Sequence, residues 1–497
     1  MTRLARGGRG GHGGKGGRLM PRLGLIPALS ALSALSALAQ APATPPPVPP
    51  PGSLRLPPIQ RAKLPNGLSI LLVEMHEVPL VQVNFSVNGG GRLDGALPGL
   101  ASFTANQLDE GAGDRDAFAI AEQAAFLGAD LSTGAGWDHT RISLNTPRRT
   151  LGDALDLLAD VVLRPTFKSA DIARERSLLT AQIIQARDEP EGMASLAFGA
   201  IVFPDGHPYH RPLEGDSAAV ARFDSAAVSQ FYHRLFRPDQ AQVLITGDIT
   251  LAEAERAIAG RFGKWPPNRM AAARPPLPPA VTRPAKRVVD LINKPDAAQS
   301  VIMIGSPGVS RTNPDYAAIE VMVTILGGSF SSRLNQNLRE TKGYTYGAGA
   351  WFTYRPLPGP FTAQAAVRTD VTDSSLVEFF RELNGIRDSA VTGVELQRAR
   401  NYIVFGQPGQ FETTGQMAGQ VEDLLTFDLP PTYLSTYVGQ VMRVSAADVQ
   451  RVARQYFDPA RVHVVVVGDV AKIRPGIEAL GLGPVTVRDL EGREMGK

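Results

Sequence analysis

A 14-residue stretch of this chain occurs twice. Phe236-Arg-Pro-Asp-Gln-Ala-Gln-Val-Leu-Ile-Thr-Gly-Asp-Ile and Phe457-Asp-Pro-Ala-Arg-Val-His-Val-Val-Val-Val-Gly-Asp-Val align without a gap, with Phe, Pro, Gly and Asp recurring 221 residues apart. The spacing persists upstream, where Asp224 falls on Ser445, Ala226 on Ala447 and Val228 on Val449, a helix N-cap followed by apolar positions. Such a repeat constrains the fold: the chain is two copies of one unit, and elements of one copy require counterparts in the other.

The copies are expected over residues 59–264 and 287–485, with a tail at 486–497. Between them, Trp265 to Pro284 holds seven prolines with Arg269, Arg274 and Arg283, which marks a linker at 265–286. In the first copy Val81, Val83, Phe85 and Val87 alternate with Gln82, Asn84 and Ser86, the period of a half-buried strand. Further strands are expected at 68–73, 141–146 and 241–246, and helices at 98–110, 115–128, 149–163 and 169–187. Strands in neighbouring pairs and helices in runs predict an α+β fold, each copy a mostly antiparallel sheet packed with helices.

Residues 1–39 carry six basic side chains and no acid, so removing them turns the formal charge of +3 into −3 and leaves no electrostatic footprint for nucleic acid. The apolar run Leu23 to Ala39 ends in Ala37-Leu38-Ala39, which reads as a cleavable signal peptide over 1–39 and places the protein in a periplasm or outside the cell. Residues 40–58 then form a Pro-rich tether, and no later run is long enough for an integral membrane span. Zero Cys removes thiol nucleophiles, disulfides and thiolate metal sites. No G-x-S-x-G, P-loop, H-E-x-x-H or H-x-x-E-H occurs, and the one close histidine pair, His207-Pro-Tyr-His210, has no acidic third ligand nearby.

Several motifs resemble the pitrilysin/insulinase family of inverzincin peptidases, which includes mitochondrial processing peptidase and the core proteins of respiratory complexes. They are Leu64-Pro-Asn-Gly-Leu, Gly89-Gly-Gly, Pro98-Gly-Leu-Ala-Ser-Phe-Thr-Ala-Asn, Gly206-His-Pro-Tyr, and Leu326-Gly-Gly-Ser-Phe-Ser-Ser-Arg-Leu continuing to Arg339-Glu and Gly343-Tyr-x-Tyr-Gly. The resemblance implies two homologous domains forming half of a clamshell chamber that takes peptides or unfolded polypeptides. In its catalytic members H-x-x-E-H supplies two zinc ligands and a general base, and a Glu on a later helix supplies the third ligand.

Here Ser102 and Asn106 stand at the ligand positions, Ala105 at the base and Gln182 at the third ligand, while an acidic neighbour on that helix is kept as Glu175. A hydroxyl and two amides are poor zinc ligands, and a methyl group moves no proton. The expectation is therefore that this chain binds no cofactor and is inactive alone. The resemblance further implies that Arg339 and Tyr346 contact the substrate carbonyl in trans, with Gly327, Gly328 and Ser329 as a substrate loop. The expected assembly is a heterodimer with a homologous H-x-x-E-H-bearing subunit that holds the zinc. The competing expectation is a peptidase-like structural or binding protein with no proteolytic role.

Overall fold

The computed structural model describes residues 56–267 and 274–495. The signal peptide expected over 1–39, the tether as far as residue 55 and the middle of the linker lie outside the described residues. The first half runs β1 Gln60–Lys63, β2 Ser69–Glu74, β3 Leu80–Asn88, α1 Leu100–Asn106, the small hairpin β4 Gly111–Ala112 and β5 Arg115–Asp116, α2 Ala117–Leu127, β6 Asp130–Ala135 and β7 His139–Pro147. It continues with α3 Leu151–Leu163, α4 Ser169–Ala186, α5 Pro190–Val202, α6 Ser217–Val220, α7 Ser225–Leu235, β8 Ala241–Gly247 and α8 Leu251–Phe262. The second half runs β9 Val288–Asn293, β10 Gln299–Pro307, α9 Tyr316–Val323, β11 Thr345–Phe352, β12 Pro360–Arg368, α10 Thr372–Asp388 and α11 Gly393–Gly406. It closes with α12 Thr414–Thr426, α13 Tyr433–Arg443, α14 Ala446–Tyr456, β13 His463–Gly468, α15 Val470–Ala479 and β14 Val485–Arg488.

The duplication is carried into the strand order. One sheet reads β1-β2-β8-β3-β7-β6 and the other, taken from its far edge, β14-β9-β13-β10-β12-β11. In each, the strand that opens the half lies parallel to the one that closes it, Ser69 opposite Gln242 and Val288 opposite His463, and the central strands pair antiparallel. The N-caps anticipated from the repeat are present: Asp224 accepts from the Ala227 N–H, and Ser445 forms a capping box with Asp448. The copies differ at one edge. A hairpin from the N-terminal side supplies β1, antiparallel to β2, whereas β14 returns from the C-terminal side parallel to β9, so the segment expected as a tail begins inside the sheet.

Each sheet packs one face against its own helices. Val81, Val83, Phe85 and Val87 lie in the core of the first half with Phe103, Leu155, Phe223 and Phe262, and Ile302, Ile304, Phe361, Phe379 and Phe457 fill the second. The opposite faces are covered by exchange. Helix α5 of the first half lays Met193, Ala197, Phe198 and Val202 on Val301, Met303, Val465 and Val467 of the second sheet. Helix α12 of the second half lays Met417, Ala418, Val421 and Leu424 on Leu71, Val73 and Leu244 of the first. Each of the Val, Leu, Met and Phe side chains among these contributes about 1.5–3 kcal/mol by leaving water.

This exchange corrects the half-buried reading of β3, whose alternate face is buried as well. Gln82 Nε2 donates to Asn84 Oδ1 at 2.6 Å and to Ser143 Oγ at 2.7 Å, and Asn84 Nδ2 donates to Glu422 of α12 at 3.0 Å. A polar strand face can be buried because each donor finds an acceptor there.

Candidate functional site

Helix α1 starts at a residue that must be glycine. Gly99 has φ of 91°, and a Cβ there would stand 2.3 Å from the Glu214 carbonyl oxygen. Asp94 accepts the Gly99 and Ala101 N–H groups at 2.7 and 2.8 Å, anchoring the start of the helix, while burial pushes its carboxyl up to about 7. The helix packs Phe103 against Phe223, with ring centres 5.0 Å apart.

Ser102 and Asn106 are one helical turn apart on α1, half-buried and exposed respectively, and Ala105 is fully buried beside them. Gln182 is exposed on α4. Glu175, half-buried on the same helix, pairs with Arg174 Nε at 3.2 Å, and that guanidinium also binds Asp171 and Glu110. Three acidic groups, Glu110, Asp171 and Glu175, are thus engaged by one arginine. Among the described residues no cluster of three His, Asp or Glu side chains could hold a metal ion. A hydroxyl, two neutral amides and a methyl do not fit zinc.

The histidine pair is accounted for by local packing. His207 Nδ1 accepts the Tyr209 N–H at 3.1 Å and its ring stacks on Phe203, while His210 Nδ1 bonds the Phe203 carbonyl at 2.9 Å. Burial holds the His207 imidazole down at about 4, so it is neutral. Arg355 of the second half lies 4.2 Å from the centre of the Tyr209 ring, clamping this corner across the two halves.

The motif of the second half occupies two wide helical turns of the rare π type, Thr324–Gly328 and Asn335–Thr341. Gly327 is buried rather than part of an open loop, because a Cβ there would lie 2.2 Å from the Ala350 nitrogen on β11. Gly328 is exposed, and Ser329 Oγ donates back to the Thr324 carbonyl at 3.2 Å. Asn335, buried, ties the second turn to β11: its Nδ2 donates to the Ala348 carbonyl at 2.8 Å, and its Oδ1 accepts the Ala348 N–H at 3.0 Å.

Arg339 leaves this second turn with its guanidinium 4.2 Å from the Phe330 ring centre and its Nε 3.5 Å from Glu340. Gly343, at φ of 63°, reverses the chain into β11. The pairing of β11 with β12 shifts register between Thr345 and Ala348, and this irregularity turns Tyr346 outward at 90% exposure. Sequence reasoning singled out Arg339 and Tyr346 but missed the stacking under Arg339, the Asn335 anchor and the bulge. The Thr-Tyr-Gly run inside a strand was the available signal for the bulge, since glycine within a strand marks such irregularities. No hydrogen bond or ion pair links Arg339 or Tyr346 to Ser102, Asn106 or Gln182 among the described residues.

Residues 69–215 match the family profile described as Insulinase (Peptidase family M16), and residues 222–403 match that of the Peptidase M16 inactive domain. The chain belongs to the M16 peptidase family. Within M16, an uncharacterized zinc protease of Mycobacterium leprae is 29% identical over 328 residues, 63% of this chain and 73% of the relative. One from Rickettsia bellii is 25% identical over 421 residues, 82% and 96% of the two chains. The crystal structure of a peptidase M16 inactive domain from Pseudomonas fluorescens superposes with a TM-score of 0.76 at 26% identity, covering 82% of this chain and 98% of that one. A Helicobacter pylori protease shares the fold with a TM-score of 0.78 at 19% identity, covering 83% and 100%. This M16 chain therefore has two homologous α+β domains of the peptidase fold and carries Ser, Ala, Asn and Gln where the resemblance places the zinc ligands and base.

Proposed function

We propose that this chain is the substrate-positioning, non-catalytic subunit of a two-chain zinc peptidase acting on peptides or unfolded polypeptides. A partner bearing H-x-x-E-H supplies zinc and general base. The observation that carries the reading is the contrast between the two halves. The first carries Ser102, Ala105, Asn106 and Gln182 where the resemblance places the zinc ligands and base, while the second presents a stacked Arg339 and a bulge-projected Tyr346 that make no hydrogen bond or ion pair to those residues among the described residues. Two donors on such a rigid rim suit a peptide carbonyl and the negative charge that develops on its oxygen. The chain completes a half-chamber, and the basic, apolar leader supports export to a periplasm or beyond the cell. Among the described residues no helix is long and apolar enough to cross a membrane.

Residues 40–497, purified alone, should leave quenched fluorescent peptides uncut with or without zinc. Addition of an H-x-x-E-H-bearing family chain should produce cleavage that a chelator abolishes, and Arg339→Ala should then lower turnover about 100-fold with assembly intact. Chelator-sensitive cleavage by this chain alone overturns the proposal, as does undiminished turnover of the Arg339→Ala complex.

A further inference from the structure

Away from the motif-bearing surfaces, a cavity of ≈ 470 Å³ opens in the second half between α9, α11, α12 and α13, a volume within the range of small-molecule sites. Its walls carry charges of both signs that are not matched to each other. Arg311 lies flat against aromatic rings, its guanidinium carbon 3.5 Å from the centre of Tyr316 and 4.7 Å from that of Tyr433. Its one hydrogen bond among the described residues runs from Nη1 to the Tyr433 hydroxyl at 3.1 Å, and no carboxylate reaches ion-pairing distance. Stacking fixes the plane of the guanidinium and leaves most of its in-plane N–H donors open, the arrangement that accepts a planar anion in bidentate fashion.

Two carboxyl groups line the same cavity. Asp423 makes no side-chain hydrogen bond or ion pair among the described residues. Glu320 accepts the Tyr354 hydroxyl on one oxygen at 2.8 Å and keeps the other. Burial raises the Glu320 carboxyl although Arg311 pulls the other way, and both Arg311 and Arg141 act on Asp423, which is exposed. Leu424, Leu429 and Leu434 line the same cavity, and among the described residues no ion pair joins the guanidinium to either carboxylate. A ligand carrying one charge would satisfy one side and leave the other unmet. A ligand with a carboxylate, an ammonium and an apolar side chain satisfies all three surfaces.

We propose that this cavity binds a small zwitterion, an amino acid or short peptide with both ends free, its carboxylate on Arg311 and its ammonium on Asp423 and Glu320. The site lies apart from Arg339 and Tyr346 and needs no partner chain, so its test is independent of peptidase activity.

The test is calorimetric titration of the purified chain with the dipeptide Ala-Leu, its C-terminal amide and its N-acetyl derivative. Ala-Leu should bind, and each blocked form should bind at least about tenfold more weakly. Arg311→Lys, which keeps the charge but loses the planar fork, and Asp423→Asn should each cost a similar factor. If Arg311→Lys fails to fold, the two blocked dipeptides and Asp423→Asn, on the exposed side of α12, decide the question. No binding of Ala-Leu at about 10 mM, well above the millimolar affinity expected of so small a ligand, overturns the proposal. Equal binding of all three peptides overturns it too.

Discussion

Replacing Phe198 by alanine tests whether the exchanged helices make the two halves one cooperative body. Phe198 belongs to the first half by sequence but is 4% exposed among residues of the second sheet. Its ring sits directly over Gly305, where an added Cβ would come within 2.5 Å of it, so the contact is close and no small shift of α5 fills the space left behind. A buried Phe→Ala change of this kind costs about 3–5 kcal/mol, from lost transfer energy plus the cavity. That is a fifth or more of the roughly 5–15 kcal/mol by which a folded protein is held. The assay is urea denaturation of variants keeping a single tryptophan, Trp265, packed on the first-half core beside Phe85, reporting on the first half or Trp351 on the second. Both reporters should move to lower urea together, with the slope unchanged. A loss below about 1 kcal/mol, well under the range for buried aromatics, or one confined to the Trp351 reporter, refutes the claim that the exchange couples the halves.

Asn335→Ala leaves the Ala348 N–H and carbonyl unpaired beneath the second wide turn and should cost about 2 kcal/mol in thermal or urea melts. Gly99→Ala places a methyl against the Glu214 backbone in a left-handed conformation, and the expected result is loss of soluble folded protein, scored by circular dichroism. His207, held at about 4 against an ordinary 6.5, takes up a proton on unfolding between those pH values, so it makes stability fall as pH falls from 6.5 to 4. Asp94 works in the opposite sense: raised from 3.8 to about 7, it stays protonated in the folded chain where the unfolded chain has lost its proton, so its contribution falls as pH rises through that window. Stability measured from pH 4 to 7 should therefore rise less steeply with pH in His207→Gln than in wild type, and more steeply in Asp94→Asn. Unchanged slopes would show that neither group titrates as its burial dictates.

The two halves, four of the eight strands of the first and its helices α1 to α4 were legible because each leaves a local trace: a repeat, an alternation, an N-cap. The positions Ser102, Ala105, Asn106 and Gln182 could be singled out because a motif aligned them with the family's zinc site. The exchange of α5 and α12 was not, for a physical reason. Pro-Glu-Gly-Met-Ala-Ser-Leu-Ala-Phe-Gly-Ala-Ile-Val is apolar on most of its surface, so its pattern says that it is buried and nothing about which sheet buries it. For the same reason the Gln82, Asn84 and Ser86 face of β3 was indistinguishable from one meeting water, since its partners lie more than 300 residues away on α12. At the candidate site, residue types were readable but orientation was not. The bulge that projects Tyr346 and the ring that holds Arg339 depend on contacts between segments rather than on composition.

Because each half lends the other a helix, this chain has no internal hinge to work. Swinging one sheet against the other would drag α5 and α12 out of the surfaces they cover, opening apolar faces on both sides at once. The chain therefore behaves as one rigid body, and on the proposed function admission or release of a large substrate requires movement against the partner subunit. Cutting the chain between the two halves should therefore leave the pieces clasped, much as a pair of interlocked arms needs no rope.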